Sequence, residues 1–487
     1  LLAAERAAGT LKAGILNVPE LLFSSLASAA PGLSVTLAVI VGANFAGASM
    51  NLSLILALIG IMLVSACIGQ MAQQFPSAGG FYTFVSRGLH PLLGPMVAWL
   101  YLAVWVVFPA TLFLPFGDFI ASTLQSQAGF PFESTWIICA MLAIGIIFLF
   151  VRSGAKLSTN IGIILGSIEI TILAVLSIWL IIKAGSHNTL SVFGSSHANV
   201  KGFVGAAGIF GAMVYAIYGF VGFENVVPLA EEAEKPRRNI TRAAIASPFI
   251  LGIFIIFCNY AVTVYFGVGR FASFPAFNGG NPWVGVAKQV WHDGWYVLLF
   301  ALLNSCIASA NGATNAAVRH MYSMGRIELL PPRFAVVDET TGTPKVALYV
   351  LTAISVVITL LAGLLTTGPL QGFGFLGTIE TATAILLYLL VALSCIVYFV
   401  RNRPQGFNIV LHVLVPILAI GVMIPALMAA IGVGGSIFSF ITPLSSPFDT
   451  AGYMALGWLI LGMIYAAYVW IRHPDRARES ERIFITD

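Results

Sequence analysis

Charge is the scarcest commodity in this chain. Asp, Glu, Lys and Arg make up 9% of its 487 residues, and 59% are hydrophobic; a soluble domain carries about 25% charged residues. Water is therefore excluded as the solvent for most of the surface. The net charge of +4 is too small and too dispersed to suggest a nucleic-acid partner. Cysteine is scarce too. Cys67, Cys139, Cys258, Cys306 and Cys395 all fall inside apolar runs without metal-ligand spacing, so neither a disulfide framework nor a metal is expected. A phosphate-cradling G-x-x-x-x-G-K-[ST] loop is missing, which argues against direct drive by ATP. No nucleophile–base pair stands out, so neither an enzyme nor a cofactor is expected. There is no low-complexity stretch and no separate soluble domain. A cleavable signal peptide is not expected either, because the first apolar run is too long and lacks a small-residue cleavage pattern.

Long apolar runs are what the chain has instead. A membrane span needs about 20 mostly apolar residues, and twelve spans are expected at about 15–45, 51–75, 92–124, 135–151, 157–183, 203–233, 240–268, 294–325, 346–367, 374–400, 409–432 and 452–472. Placing the amino terminus inside leaves only Lys183, Lys201, Arg270 and Lys288 outside, of 23 Lys and Arg in all. The rest, from Arg6 and Lys12 through Lys156 to Arg482, cluster on the inner side. So lopsided a split predicts two cytoplasmic termini and a multi-pass protein of the plasma (inner) membrane. The Asn239-Ile240-Thr241 glycosylation pattern is discounted because it follows a basic inner loop.

Two spans are interrupted. The first carries "SSLASAAPGLSV", with Pro31 and Gly32 mid-span; proline there removes a backbone hydrogen bond and clashes with the preceding turn. The sixth carries "VYAIYGFVGFENVVPLAEEAEKPRRNI", in which Gly219 and Gly222 bracket Phe220 and Val221 and Glu224 follows at once. A single break in a membrane helix most often means a kink or close packing. Two breaks five spans apart instead point to an inverted-repeat transporter whose unwound backbone lines a cavity.

Three stretches carry a family resemblance. They are "QQFPSAGGFYTFVSRGLHPLLGPMVAW" (Gln73 to Trp99), "GFENVVPLAEEAEKPRRNITRAAIAS", and "NAAVRHMYSMGRIELLPPRFAVVDETTGTPKVAL" (Asn315 to Leu348). In this order and spacing they resemble the amino acid–polyamine–organocation permeases. The resemblance implies an all-α membrane protein with a LeuT-like fold. Five helices (residues 1–200) are followed by an inverted five (201–400), then by two further helices and a cytoplasmic tail (401–487). The chain departs from the pattern in three places. Ala29-Ala30-Pro31-Gly32 stands for a Gly-Ser-Gly-type break, and Tyr218 stands where some members carry tryptophan. Glu169 stands where some sodium-independent members carry a lysine.

An unwound segment exposes carbonyls from the half-helix before it and amides from the half-helix after it, and these ends suit cations and anions respectively. An amino acid zwitterion presents both charges. The amides of Gly32 and Leu33 are expected to take the carboxylate. Carbonyls near Ser28, Ala29, Tyr215 and Ala216 are expected to take the ammonium. Ala30, Tyr218 and Gly222 complete the two breaks, and Phe220 closes over the solute from outside. Tyr101, Trp105 and Phe108 form a stripe at helical spacing that walls the cavity or merely packs. Asn311, Thr314 and Asn315 make a polar wall beside Gly312. Glu224 is expected to hold the second break in shape. Glu169, mid-span, is the candidate proton-coupling residue, with hydrogen bonding to a neighbouring helix as the rival role. Glu380 is a further carboxylate inside a span, while Asp118 and His412 are expected nearer the interfaces.

Three further expectations concern the connections. Phe271 to Gly294 reads as a large outer loop, Pro236 as a helix stop with Asn239 capping the next helix, and Glu231, Glu232, Glu234 and Lys235 as a solvated helix end. The solute expected is an amino acid or related amine, with protons as a possible co-substrate. A polyamine or organic-cation permease is the alternative reading. An ion channel fits less well, and the oligomeric state is left open.

Overall fold

The computed structural model describes residue 14 and residues 16–77, 79–434, 438 and 440–482, with backbone alone at 155–162 and 481–482. Arg6, Lys12 and the side chains of Lys156 and Arg482 lie outside the described residues. The chain is a packed array of helices. Helix α1, Val18–Ser28, begins at Asn17, whose side chain and that of Glu20 cap each other's backbone N–H, and this satisfies two otherwise orphaned donors. A short α2, Pro31–Leu33, runs through a π-helical turn, Ser34–Ala38, into α3, Val39–Ala46. Then come α4 (Met50–Gln74), α5 (Phe81–Gly88), α6 (Leu93–Ala128), α7 (Phe132–Arg152) and α8 (Ala155–Ala184). A two-stranded hairpin, β1 (Asn199–Val200) and β2 (Phe203–Val204), leads into α9 (Ala206–Tyr218).

A 3-10 run, Phe223–Glu231, connects α9 to α10 (Pro236–Phe266). The remaining helices are α11 (Pro282–Trp291), α12 (Trp295–Arg326), α13 (Lys345–Leu365), α14 (Pro369–Asn402), α15 (Val415–Ala430), α16 (Phe448–Arg472) and α17 (Pro474–Arg482). Eleven helical stretches among the described residues are long and apolar enough to cross a membrane. One of them, Pro31–Gln74, has 44 residues; a straight helix that long would reach about 66 Å, twice the hydrocarbon thickness of a bilayer. It does not run straight. Gly47, at φ +54°, turns the chain between α3 and α4, a conformation that costs glycine little.

The centre belongs to α6, α9, α12 and α14. Their large side chains, among them Tyr101, Trp105, Tyr215 and Tyr388, are fully buried. The outermost helices turn Ile417, Leu418, Ile460 and Ile464 outward, as a lipid-facing surface requires.

Four sequence expectations about local structure need correction. The stretch from Phe271 to Gly294 is only partly a loop: 3-10 turns from Val268 give way to non-helical backbone at Phe277, Asn278 and Gly279, and α11 follows. Phe271 and Phe274 are buried against Phe266, and Trp283 is buried against Phe274, so apolar packing orders much of a segment that its Gly and Pro content marked as irregular. Pro236 begins a helix instead of ending one, with Lys235 left-handed before it, because a missing N–H costs nothing in a first turn. Asn239 therefore lies inside that helix, and its amide donates back to the Glu234 carbonyl. Half of the acidic run is tied down, with Glu232 paired to Arg319 at 3.3 Å and Glu231 to Arg326 at 3.7 Å, while Glu234 and Lys235 are exposed as expected. His412 is buried, stacked on Phe399 at 3.8 Å and bonded to Gln70 at 3.0 Å.

Candidate functional site

Two helix interruptions meet in the middle of the array. The first is short. Helix α1 ends at Ser28, Ala29 leaves the helical region and Ala30 turns left-handed at φ +54°. Pro31 then opens the next helical run, where its fixed φ suits a first turn. The second follows Tyr218, the last residue of α9. Gly219 to Val221 form a tight turn, and Gly222 at φ +105° precedes the 3-10 run from Phe223. The two backbones touch: a Cβ on Gly222 would lie 2.9 Å from the Ser28 carbonyl oxygen and 3.2 Å from the Ala29 Cα. Only a residue without a side chain permits that approach at that φ.

Side chains from distant helices hold the interruption open. The Gly32 amide donates to Glu169 Oε1 of α8 at 3.4 Å, and the Leu33 amide donates to the Ser305 hydroxyl of α12 at 3.1 Å. These are the first free N–H groups of the new helical run, where negative or polar oxygen is favoured. Ser309, one turn after Ser305 on the same face of α12, donates to the Ala27 carbonyl at 3.0 Å. Ser34 donates to the Ala29 carbonyl at 2.8 Å. At the second interruption, Glu224 Oε2 accepts from the Gly222 amide at 3.1 Å and from the Tyr388 hydroxyl at 3.2 Å. Ser25 of α1 donates to the Phe223 carbonyl at 2.5 Å and Asn225 donates to the Ser28 hydroxyl at 2.7 Å, so the half-helices are cross-linked.

A small polar cleft opens to one side of this junction. It is lined by Ser24, Ser28, Asn225, Asn311, Asn315 and Arg319, among others. Phe220, inside the second interruption, is fully buried. Tyr101, Trp105 and Phe108 form a connected aromatic column, with successive centroids 5.5 and 6.2 Å apart, and Phe108 meets Tyr218 at 6.4 Å.

The sequence-expected residues thus divide. Ser28, Asn311 and Asn315 share the cleft, while Ala29, Ala30, Gly32, Leu33, Phe220 and Gly222 form the junction. Thr314 turns elsewhere, to a small void among Phe113, Ile144 and Leu351. Tyr215 faces α3 and α14: it stacks on Phe45 at 5.6 Å and bonds Thr378 at 3.0 Å. Ala216 is buried in α9. Ser25, Asn225, Ser305 and Ser309 were missed. The local signal of Ser305 and Ser309 is two hydroxyls one turn apart on α12, a spacing that does not say which helix they reach. Three carboxylates lie fully buried at this level: Glu169, Glu224 and Glu380. Among the described residues no group of three His, Cys, Asp or Glu side chains is placed to hold a metal ion.

The chain is similar to several named importers and permeases. Over 332 residues the chain is 25% identical to the "Low-affinity putrescine importer PlaP" of Escherichia coli (strain K12), covering 66% of this chain and 70% of that one. It is 28% identical over 358 residues to the "Histidine permease HisP" of Lactococcus lactis subsp. cremoris (strain MG1363), covering 72% of each. It is 26% identical over 407 residues to the "Probable GABA permease" of Pseudomonas aeruginosa, covering 76% of this chain and 79% of that one. All three are named as transporters and none as an enzyme. The family pattern described as "Amino acid permease" matches residues 21–481, a range that holds both interrupted helices and the cleft, and the chain belongs to that family.

Proposed function

We propose that the chain is a secondary active transporter that moves an amino acid or related amine by alternating access, with the solute held where the two interrupted helices meet. The observation that carries this reading is the contact of Gly222 with Ser28 and Ala29. Irregular backbone at membrane depth persists where it is buried in protein or lines a cavity, and here a polar cleft leads to it. In this reading Pro31–Gln74 makes two passes around Gly47, which gives twelve in all, arranged as five, an inverted five and two more. Both termini are cytoplasmic, the protein sits in the plasma (inner) membrane, and the cleft opens inward. Phe220 closes the outer side, and Tyr101 and Trp105 shield the solute.

Glu224 serves as the brace of the second break. Glu169 serves as the proton site: its carboxyl spans from the Gly32 amide toward Ser305, so gain or loss of its proton alters the grip of α8 on the first break. A proton shifts the balance between inward and outward forms only as far as it prefers one of them. The names of the relatives, among them importers or permeases of putrescine, histidine and GABA, support an amino acid or amine as the solute. Saturable uptake of labelled solute into liposomes, competed by the unlabelled compound, tests the reading. Flux without saturation would replace it with a channel.

A further inference from the structure

Glu380 has no part in the machinery described so far, yet its place is unusual. It sits on α14 with 1% of its surface exposed. The Thr111 hydroxyl of α6 donates to its Oε1, while its Oε2 has no hydrogen-bond partner. One turn before it on the same face lies Gly377, and the Tyr218 ring packs there: a Cβ on Gly377 would meet that ring at 3.4 Å. One turn before Thr111 lies Phe108, whose ring meets Tyr218 edge-on at 6.4 Å, and Phe373 meets Tyr218 at 5.4 Å. The Tyr218 hydroxyl is buried and unpartnered as well, and it lies within electrostatic reach of Glu380.

A carboxylate, two unsatisfied oxygens and three rings therefore converge beside the end of α9. None of the chain's ion pairs among the described residues reaches Glu380. Keeping a carboxylate at this depth is expensive unless something cationic meets it. Aromatic faces beside a carboxylate favour an organic ammonium, held by cation–π attraction and a charge-assisted hydrogen bond together.

We propose that Glu380, with Tyr218 and Phe108, receives a second, distal ammonium group of the solute, so that the transported class is a diamine or an amino acid with a cationic side chain. This rests on the reading that the solute binds at the junction of the interrupted helices. One end of the solute then lies at the break and the other reaches the α6–α14 seam. Thr111 positions the carboxylate by occupying its other oxygen.

The test uses matched pairs that differ only in the terminal amine: lysine against norleucine, and 1,5-diaminopentane against pentylamine. Competition for uptake by the full-length protein in liposomes is measured for each. The wild type is expected to prefer the compound with the terminal amine by at least about 100-fold, because a site built for a polar group strongly rejects the analogue lacking it. Glu380→Gln retains an oxygen for Thr111 and is expected to cut that preference to about threefold or less, mainly by weakening the diamine or lysine. A wild type that takes up neutral amino acids saturably without preferring a terminal amine overturns the inference and leaves the transporter reading standing. So does a Glu380→Gln variant that keeps the full preference. The comparison within the wild type decides even if the variant fails to fold. Failure of every amino acid and amine to be transported sinks the transporter reading itself, and this inference with it.

Discussion

Glu169 and Gly32 are 137 positions apart in the chain, yet a carboxylate oxygen of one accepts the amide of the other at 3.4 Å. An ionisable side chain therefore touches the backbone that shapes the first break. In liposomes with an imposed pH gradient and no sodium, wild-type uptake is expected to rise with the gradient. Glu169→Gln keeps the amide contact but carries no exchangeable acid proton, so its uptake is expected to ignore the gradient. Equal pH dependence in both proteins, or an absolute sodium requirement, removes Glu169 as the proton site.

The second prediction concerns Gly222. Any Cβ there would lie 2.9 Å from a backbone carbonyl, at φ +105°. Neither a carbonyl nor a left-handed backbone yields cheaply, and strain of this kind costs about 1–3 kcal/mol. Gly222→Leu is expected to reach the membrane in near-normal amount and to abolish uptake. Gly421, with open space around it, supplies the control: Gly421→Ala should transport normally. Normal uptake by Gly222→Leu would show that the close approach is dispensable.

Phe220 tests the closed side. It is fully buried within the second interruption. Phe220→Ala is expected to raise KM and lower the maximal rate together, by roughly tenfold overall, since a lid acts on both steps. Its choice among charged and neutral solutes should not change. Wild-type affinity and rate in this variant would place the gate elsewhere.

Asp338 offers a pH prediction away from the membrane. One of its oxygens accepts from the Thr340 and Thr341 amides at 2.8 and 2.9 Å, and Lys345 pairs with the other. These donors hold its carboxyl well below the usual carboxylate range, the Lys345 contact most of all. A depressed acid stabilises the fold at every pH above its unfolded value of about 4 and loses that contribution as pH falls below it. Asp338→Asn should therefore lower Tm by the same few degrees at any pH from about 5 to 8, with the gap narrowing only in stronger acid. A gap that changes through neutrality would point to a different group.

How legible this molecule is from its sequence depends on what each residue type can signal. Pro31, Gly219 and Gly222 advertise breaks because their backbone chemistry is unusual wherever they stand. Ala30 is left-handed at the heart of the first break, and alanine gives no warning of that. The hydroxyls of Ser25, Ser305 and Ser309 reach α1 or its partner from residues 198 to 282 positions away. Such distances come from packing, which no local pattern encodes. Composition misled in part at Phe271 to Gly294: backbone at Phe277 to Gly279 is irregular as glycine suggested, while buried rings impose helical turns on either side. It misled again at Glu231 and Glu232, which look solvated until α12 brings Arg326 and Arg319 alongside. Local punctuation was readable, and long-range satisfaction of polar groups was not.

One small contact bears on how the half-helices move. Leu16, just before α1, forms a parallel bridge with Ala233, just after the 3-10 run: its amide donates to the Glu232 carbonyl at 3.0 Å and its carbonyl accepts from the Glu234 amide at 2.8 Å. Sliding α1 past the 3-10 run would sacrifice both bonds, each worth about 0.5–1.5 kcal/mol. Under the alternating-access proposal, the cheaper displacement swings the two segments as one rigid paddle, hinged at Ala30 and Gly222, and opening on that side becomes a single correlated stroke.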